Sequence, residues 1–181
     1  MIRVQTEDFD VGVELKALMS RAKGVGGIVT FTGVVREWSG ASSSGGPAAG
    51  GPQLAAMTLE HYPGMTERQL AEIEAEALQR WPIEASLIVH RYGRLEPGAN
   101  IVLVITASAH RQAAFEANEF LVDWLKTKAP FWKLEAGPAG QSWVAATASD
   151  DDMAARWAAG APVPGDAADQ WTLNPAAKRR A

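Results

Sequence analysis

Asn100-Ile101-Val102-Leu103-Val104-Ile105-Thr106-Ala107-Ser108-Ala109-His110-Arg111 runs directly into Gln112-Ala113-Ala114-Phe115-Glu116-Ala117 and, a turn later, Leu121-Val122-Asp123-Trp124-Leu125-Lys126. The first nine or ten residues are a β-branched, apolar run of strand length. The pattern after them recurs at helical spacing, so the reading is a strand over 100–109 followed by a helix over 112–128. Phe115, Leu121, Val122 and Leu125 are expected to face inward, and Pro130 ends the helix. Phe131-Trp132-Lys133-Leu134-Glu135-Ala136 then reads as a strand, paired as a hairpin with 142–146 around Pro138-Ala139-Gly140.

Upstream, strands are expected over 2–5, 25–35, 54–62 and 86–92. Helices are expected over 11–22, capped by Asp10, and over 66–80, opened by a Thr66/Gln69 capping box and stopped by Pro82. Gly26, Gly27 and Gly33 within the second strand imply a bulge or a close backbone approach. The turn before 100 lies at Glu96-Pro97-Gly98. Residues 39–52 are almost all Gly, Ser, Ala and Pro, which gives a flexible loop inside the domain. A short helix is expected over 153–157, after three acidic residues. The order of elements defines an α+β domain with a largely antiparallel sheet. That domain covers 1–158, followed by a mobile tail over 159–181.

Composition narrows the function. The chain has 181 residues, 47% of them hydrophobic, and a formal charge of −4. A core is affordable at that composition, and the acidic balance argues against a nucleic-acid coat. Cys is absent, which removes disulfides, thiolate metal sites and a cysteine nucleophile. His61, His90 and His110 show no metal-ligand spacing, so no metal site and no cofactor are expected. His61 and His90 read as structural, and Trp81, Trp124, Trp132 and Trp143 as core. Residues 1–10 are not a signal peptide, and no stretch is long enough to span a membrane, so the expectation is a cytoplasmic protein.

Against that acidic background the cations of the opening stretch stand out. His110 and Arg111 sit where a strand hands over to a helix, whose unpaired N–H groups favour an anion. The alternative is that Ser108 caps the helix and both side chains are solvated. Lys126 and Lys133 flank Pro130 and so share no helix face. Held against Phe131 and Trp132 and near other cations, a lysine would serve as a base or amine nucleophile. Lys128 is the better partner for the last helical carbonyls. Arg36, at the end of a strand beside the 39–52 loop, stands in a common ligand position.

Six segments together resemble a known family: Thr30-Phe31-Thr32-Gly33-Val34-Val35-Arg36, Leu59-Glu60-His61-Tyr62-Pro63-Gly64-Met65, His90-Arg91-Tyr92-Gly93, Ser108-Ala109-His110-Arg111, Ala114-Phe115-Glu116-Ala117 and Leu125-Lys126-Thr127-Lys128-Ala129-Pro130-Phe131-Trp132-Lys133. In this order they are similar to the large, catalytic subunit of molybdopterin synthase. The resemblance implies an α/β-hammerhead-like domain with an additional antiparallel β subdomain. It implies a sulfurtransferase that takes sulfur from the thiocarboxylated Gly-Gly terminus of a small ubiquitin-like subunit. The acceptor is cyclic pyranopterin monophosphate and the product the molybdopterin dithiolene, made by a homodimer within a heterotetramer.

By position, the resemblance makes Lys126 and Lys133 catalytic. Arg36, His110 and Arg111 would hold the substrate, with the backbone at Val34, Val35, Leu134 and Glu135 lining the same pocket. Leu134 stands where relatives often carry a basic residue, the 39–52 loop is long, and Thr147 replaces a basic residue of some relatives. Two other readings compete: a non-enzymatic module that binds a ubiquitin-like tail, and an anion-binding domain for another phosphorylated metabolite.

Overall fold

The central strand of the molecule is the apolar run that opens the decisive stretch. The computed structural model describes residues 1–38, 53–138, 140–144 and 155–157. Its elements are β1 (Ile2–Gln5), α1 (Val11–Met19), β2 (Gly27–Val34), β3 (Ala56–His61), α2 (Met65–Arg80), β4 (Ile83–Arg91), β5 (Gly93–Leu95), β6 (Asn100–Ser108), α3 (Arg111–Thr127), β7 (Phe131–Gly137) and β8 (Gly140–Val144). Two four-stranded sheets form, ordered β1-β4-β6-β2 and β5-β3-β7-β8. The β1–β4 pair is parallel, and the other pairs among the described residues are antiparallel.

β6 is apolar at nearly every position because both of its faces are covered. Leu103, Ile105 and Ala107 join Leu87, Val89, Phe9 and Leu18 on the α1 side. Val104 joins Ile88 and residues of α2 and α3 on the other. α3 is seated by small residues: Ala113, Ala114 and Ala117 are buried together with Phe120, Leu121 and Leu125. Phe115 is not among them. It is 62% exposed, because the buried seam passes through positions 114, 117, 121 and 125 and Phe115 turns away from it. A large side chain suggested the inward face, but close packing on the sheet required alanine. Asn118 is buried in that seam, with its Nδ2 donating to the carbonyls of Val29 and Val104 and to Thr106 Oγ1.

The glycines of the second strand behave as expected. A Cβ on Gly26 would lie 2.3 Å from the Ala109 carbonyl oxygen, and one on Gly33 would lie 2.7 Å from Val102 Cγ1. The β2–β6 register slips between Gly33 and Val34. Gly26→Ala is therefore expected to destabilise the fold by about 1–3 kcal/mol, the usual range for forced overpacking. A denaturant midpoint measures it.

Several local expectations are corrected. α2 is opened by Gly64, whose N–H donates to Glu67 Oε2 at 2.6 Å, two residues before the expected Thr66/Gln69 box. The positive φ of 80° at Gly64 explains why glycine serves there. α1 stops at Met19 instead of residue 22. β5 was not legible, being three residues long. Trp132 and Trp143 are 48% and 59% exposed, whereas Trp81 is core. They stand on the open face of the second sheet, whose other face carries Met57, Leu59 and Leu95 packed against Val35. The 39–52 loop, the helix expected at 153–157 except for its last three residues, and the domain boundary at 158 fall outside the described residues.

The two sheets are tied by stacked rings. His90 of β4 lies against Phe131 of β7, with centroids 3.6 Å apart. His61 of β3 meets Tyr92 at a tilt of 46° and stacks on Phe131. Burial pushes the His90 imidazole down from 6.5 to about 4, outweighing the contact of its Nδ1 with the Arg91 carbonyl oxygen. The unfolded chain takes up the proton at the ordinary value, so His90 favours the fold fully above 6.5 and loses that contribution as pH falls toward 4. Stability should fall across this window, and His90→Phe should flatten that part of a pH–stability profile.

Candidate active site

β2 and β6 divide the candidate residues into two groups. Gly27 pairs with Ser108 at one end of the two strands and Val34 with Asn100 at the other. Seven steps of strand separate Gly27 from Val34, about 23 Å at 3.3 Å per residue. α3 then runs back along β6. Arg111 lies beside Gly27, the Ala114 carbonyl accepts from Thr106 Oγ1, and Asn118 reaches Val104. The sixteen steps from Arg111 to Thr127 cover about 24 Å at 1.5 Å per residue. Lys126 therefore ends up at the Val34–Asn100 end, and His110 and Arg111 at the opposite end.

The second sheet adds to the Lys126 end. Phe131, at the start of β7, stacks on His90, which pairs with Val102 near the same end of β6. Lys133 is opposite Leu59 on β3, and Leu59 packs with Val35. One end of the molecule thus carries Val34, Val35, Arg36, Lys126, Lys133, Leu134 and Glu135. The fold brings these seven together and sets His110 and Arg111 roughly a strand length away.

Within that end the side chains differ in what they offer. Lys133 is half-buried and its Nζ is 2.6 Å from Glu135 Oε1. Its immediate partner is a carboxylate. Residues two apart on a strand share a face, and this is the signal that Glu135 offers a side chain and not merely backbone. Leu134 points to the other face, opposite Trp143, so a basic residue there would not have flanked Lys133. Val35 is 1% exposed, and its N–H and carbonyl are bonded to Ala99 O and Gly98 N, so it shapes the site from beneath. Arg36, Val34 and Lys126 are exposed. Lys128 does not serve the helix carbonyls with its side chain. Its Nζ sits 3.4 Å from the centroid of the Trp124 ring.

At the far end His110 is the first residue before α3. Ser108 does not cap the helix: it is buried, its Oγ donates to Pro82 O and accepts from the His110 N–H. His110 and Arg111 are exposed, set at the end where a helix dipole favours anions. Among the described residues no group of His, Asp and Glu is placed to hold a metal ion. No helix among them is long and apolar enough to cross a membrane.

The fold and site define a two-sheet α+β protein with an arginine and two lysines at one end of its sheets, one lysine paired with a carboxylate. A family model described as MoaE protein matches residues 4–128, and the chain belongs to this family. A molybdopterin synthase catalytic subunit of Pseudomonas aeruginosa is 51% identical over 156 residues, 86% of this chain and 97% of the relative. Among solved structures, a molybdopterin biosynthesis MoaE protein from Burkholderia ambifaria superposes with a TM-score of 0.70 at 47% identity, covering 87% of this chain and 97% of the other. A molybdopterin synthase from Staphylococcus aureus gives 0.68 at 30% identity, over 79% and 96% of the two chains.

Proposed function

We propose that this chain is the catalytic subunit of a molybdopterin synthase, a sulfurtransferase. It would move sulfur from the C-terminal thiocarboxylate of a small ubiquitin-like partner to cyclic pyranopterin monophosphate. The observation that carries the reading is the Lys133–Glu135 pair, 2.6 Å apart, at the same end as Lys126 and Arg36 in a chain of this family. A relative called a catalytic subunit implies a second kind of chain, and no cysteine is available here to carry sulfur. A donor on another protein suits both facts. Its place in the cytoplasm belongs to the same proposal.

In this scheme Lys126 stands beside the incoming glycine terminus, where its ammonium balances the acyl thiolate. The thiolate sulfur bonds to a carbon of the precursor, and cleavage of the acyl–sulfur bond by water leaves the partner with a carboxylate. Lys133 delivers a proton to the oxygen leaving the precursor, and Glu135 holds its Nζ in place. Two such transfers, one per partner molecule, complete the dithiolene. Arg36 binds the precursor's phosphate as a charge-assisted donor.

His110 and Arg111 share one substrate with these groups if they come from a second copy of the chain. The separation of about a strand length within one copy supports a homodimer in which each site takes its lysines and Arg36 from one copy and His110 with Arg111 from the other. Incubating the purified chain with precursor and thiocarboxylated partner should yield the dithiolene, and with the plain carboxylate partner should yield none. A tight complex with the thiocarboxylated partner and no product would overturn the enzymatic reading and leave the binding module.

A further inference from the structure

Asp123 lies one turn before Lys126 and is buried at 6% exposure. Its carboxylate is met by two donors from a distant part of the chain. Arg156 Nη2 reaches Oδ2 at 2.8 Å, and Trp157 Nε1 reaches the same oxygen at 2.8 Å. Arg156 also pairs with Glu119 at 2.6 Å, so one guanidinium bridges two carboxylates on successive turns of α3. The Trp157 ring is inserted edge-on against Trp81 and Phe120. Its carbonyl accepts from Arg80 Nη2 at 2.9 Å. The Asp123 carbonyl in turn accepts from Thr127 Oγ1 at 3.0 Å, on the residue that follows Lys126.

The connectivity gives these contacts a consequence. From Asp123 the chain passes through Lys126, leaves α3, and forms the β7–β8 hairpin that bears Lys133. It returns at 156–157 to the helix it left, so the Trp157–Asp123 bond closes a path that contains both lysines. The family match covers 4–128 and so includes Asp123 but not its two donors. We infer that Asp123, Arg156 and Trp157 form a clasp that fixes the last turn of α3 and thereby sets Lys126 relative to Lys133. Asp123 and Trp157 are positioning residues: neither is placed to touch substrate. The inference rests on the catalytic reading of Lys126.

The test measures kcat and KM for precursor in the reconstituted complex. Trp157→Phe keeps the ring in its apolar slot and removes the N–H donor, and Asp123→Asn removes the charge while keeping the shape. Each should lower kcat about tenfold with KM changed less than about twofold, because misplacement of a reacting group by about 1 Å can cost up to 10²-fold. Each substitution should have no further effect in a Lys126→Ala background. Arg156→Lys, which retains the charge, should recover more kcat than Arg156→Ala. Full kcat in folded Trp157→Phe and Asp123→Asn, with Lys126→Ala inactive, overturns the clasp and leaves the catalytic reading intact. Equal losses in both backgrounds show a merely structural role and also overturn it. Full activity of Lys126→Ala overturns the catalytic reading and the clasp with it.

Discussion

Lys133→Ala is expected to lower the rate of dithiolene formation by about 10²–10⁴-fold, the usual contribution of a general acid or base, with a nearly unchanged melting temperature. Lys126→Ala should lose activity on a similar scale. Lys133 is half-buried on the inner face of the second sheet, and among the described residues its ammonium is held by one ion pair, to Glu135 at 2.6 Å. Partly exposed pairs contribute about 0–1 kcal/mol to stability, so truncation should barely affect the fold. Glu135→Gln separates positioning from charge: the amide still accepts a hydrogen bond from Nζ but no longer balances it, and the rate should fall less than in Lys133→Ala. Activity is read as product formed by the reconstituted complex and stability as a melting curve. Near-parental rates in both lysine variants would remove the pair from the chemistry.

The fold was legible where a run of residues had one physical explanation. β6 is apolar because both faces are covered, and that pattern survives in the sequence without alternation. Asp10 caps α1 with its Oδ1 on the Val13 N–H, and the close-approach glycines marked the β2–β6–α3 junction. The errors arose where side-chain size substituted for geometry. Phe115, Trp132 and Trp143 are large and apolar, yet the helix seam is alanine and the hairpin has one open face. Burial of Asn118 had no local signal, since its partners Val29 and Val104 come from two other strands.

The candidate site was legible as a set of residue types but not as an arrangement. Nothing in the spacing of Arg36, His110 and Lys126 says that one strand and one helix, each a molecule's width long, set His110 apart from the other two. That follows only once β2 is paired with β6 and α3 folds back over them. Glu135 was readable as backbone, while its side chain gained a role through strand alternation. The donors Arg156 and Trp157 reach Asp123 across 33 and 34 residues of chain, and no sequence period spans such a distance.

Mixing two inactive variants is expected to restore activity. In a twofold dimer each site repeats the other with the copies exchanged. A dimer of one Lys133→Ala copy and one Arg111→Ala copy then has one site with both defects and one with neither. Random pairing makes half of the dimers mixed, so co-expression of the two variants should return about a quarter of the parental rate. Lys126→Ala with Lys133→Ala should return nothing, because both lysines sit at one end of the same copy and each site of the mixed dimer keeps one defect. The contrast between the two mixtures separates a shared site from trivial repair by refolding. If the site lay within a single copy, neither mixture would recover, and the anion end at His110 and Arg111 would have to serve a different ligand. Recovery in the first mixture alone requires that the two ends, about 23 Å apart along β2, meet across a dimer interface.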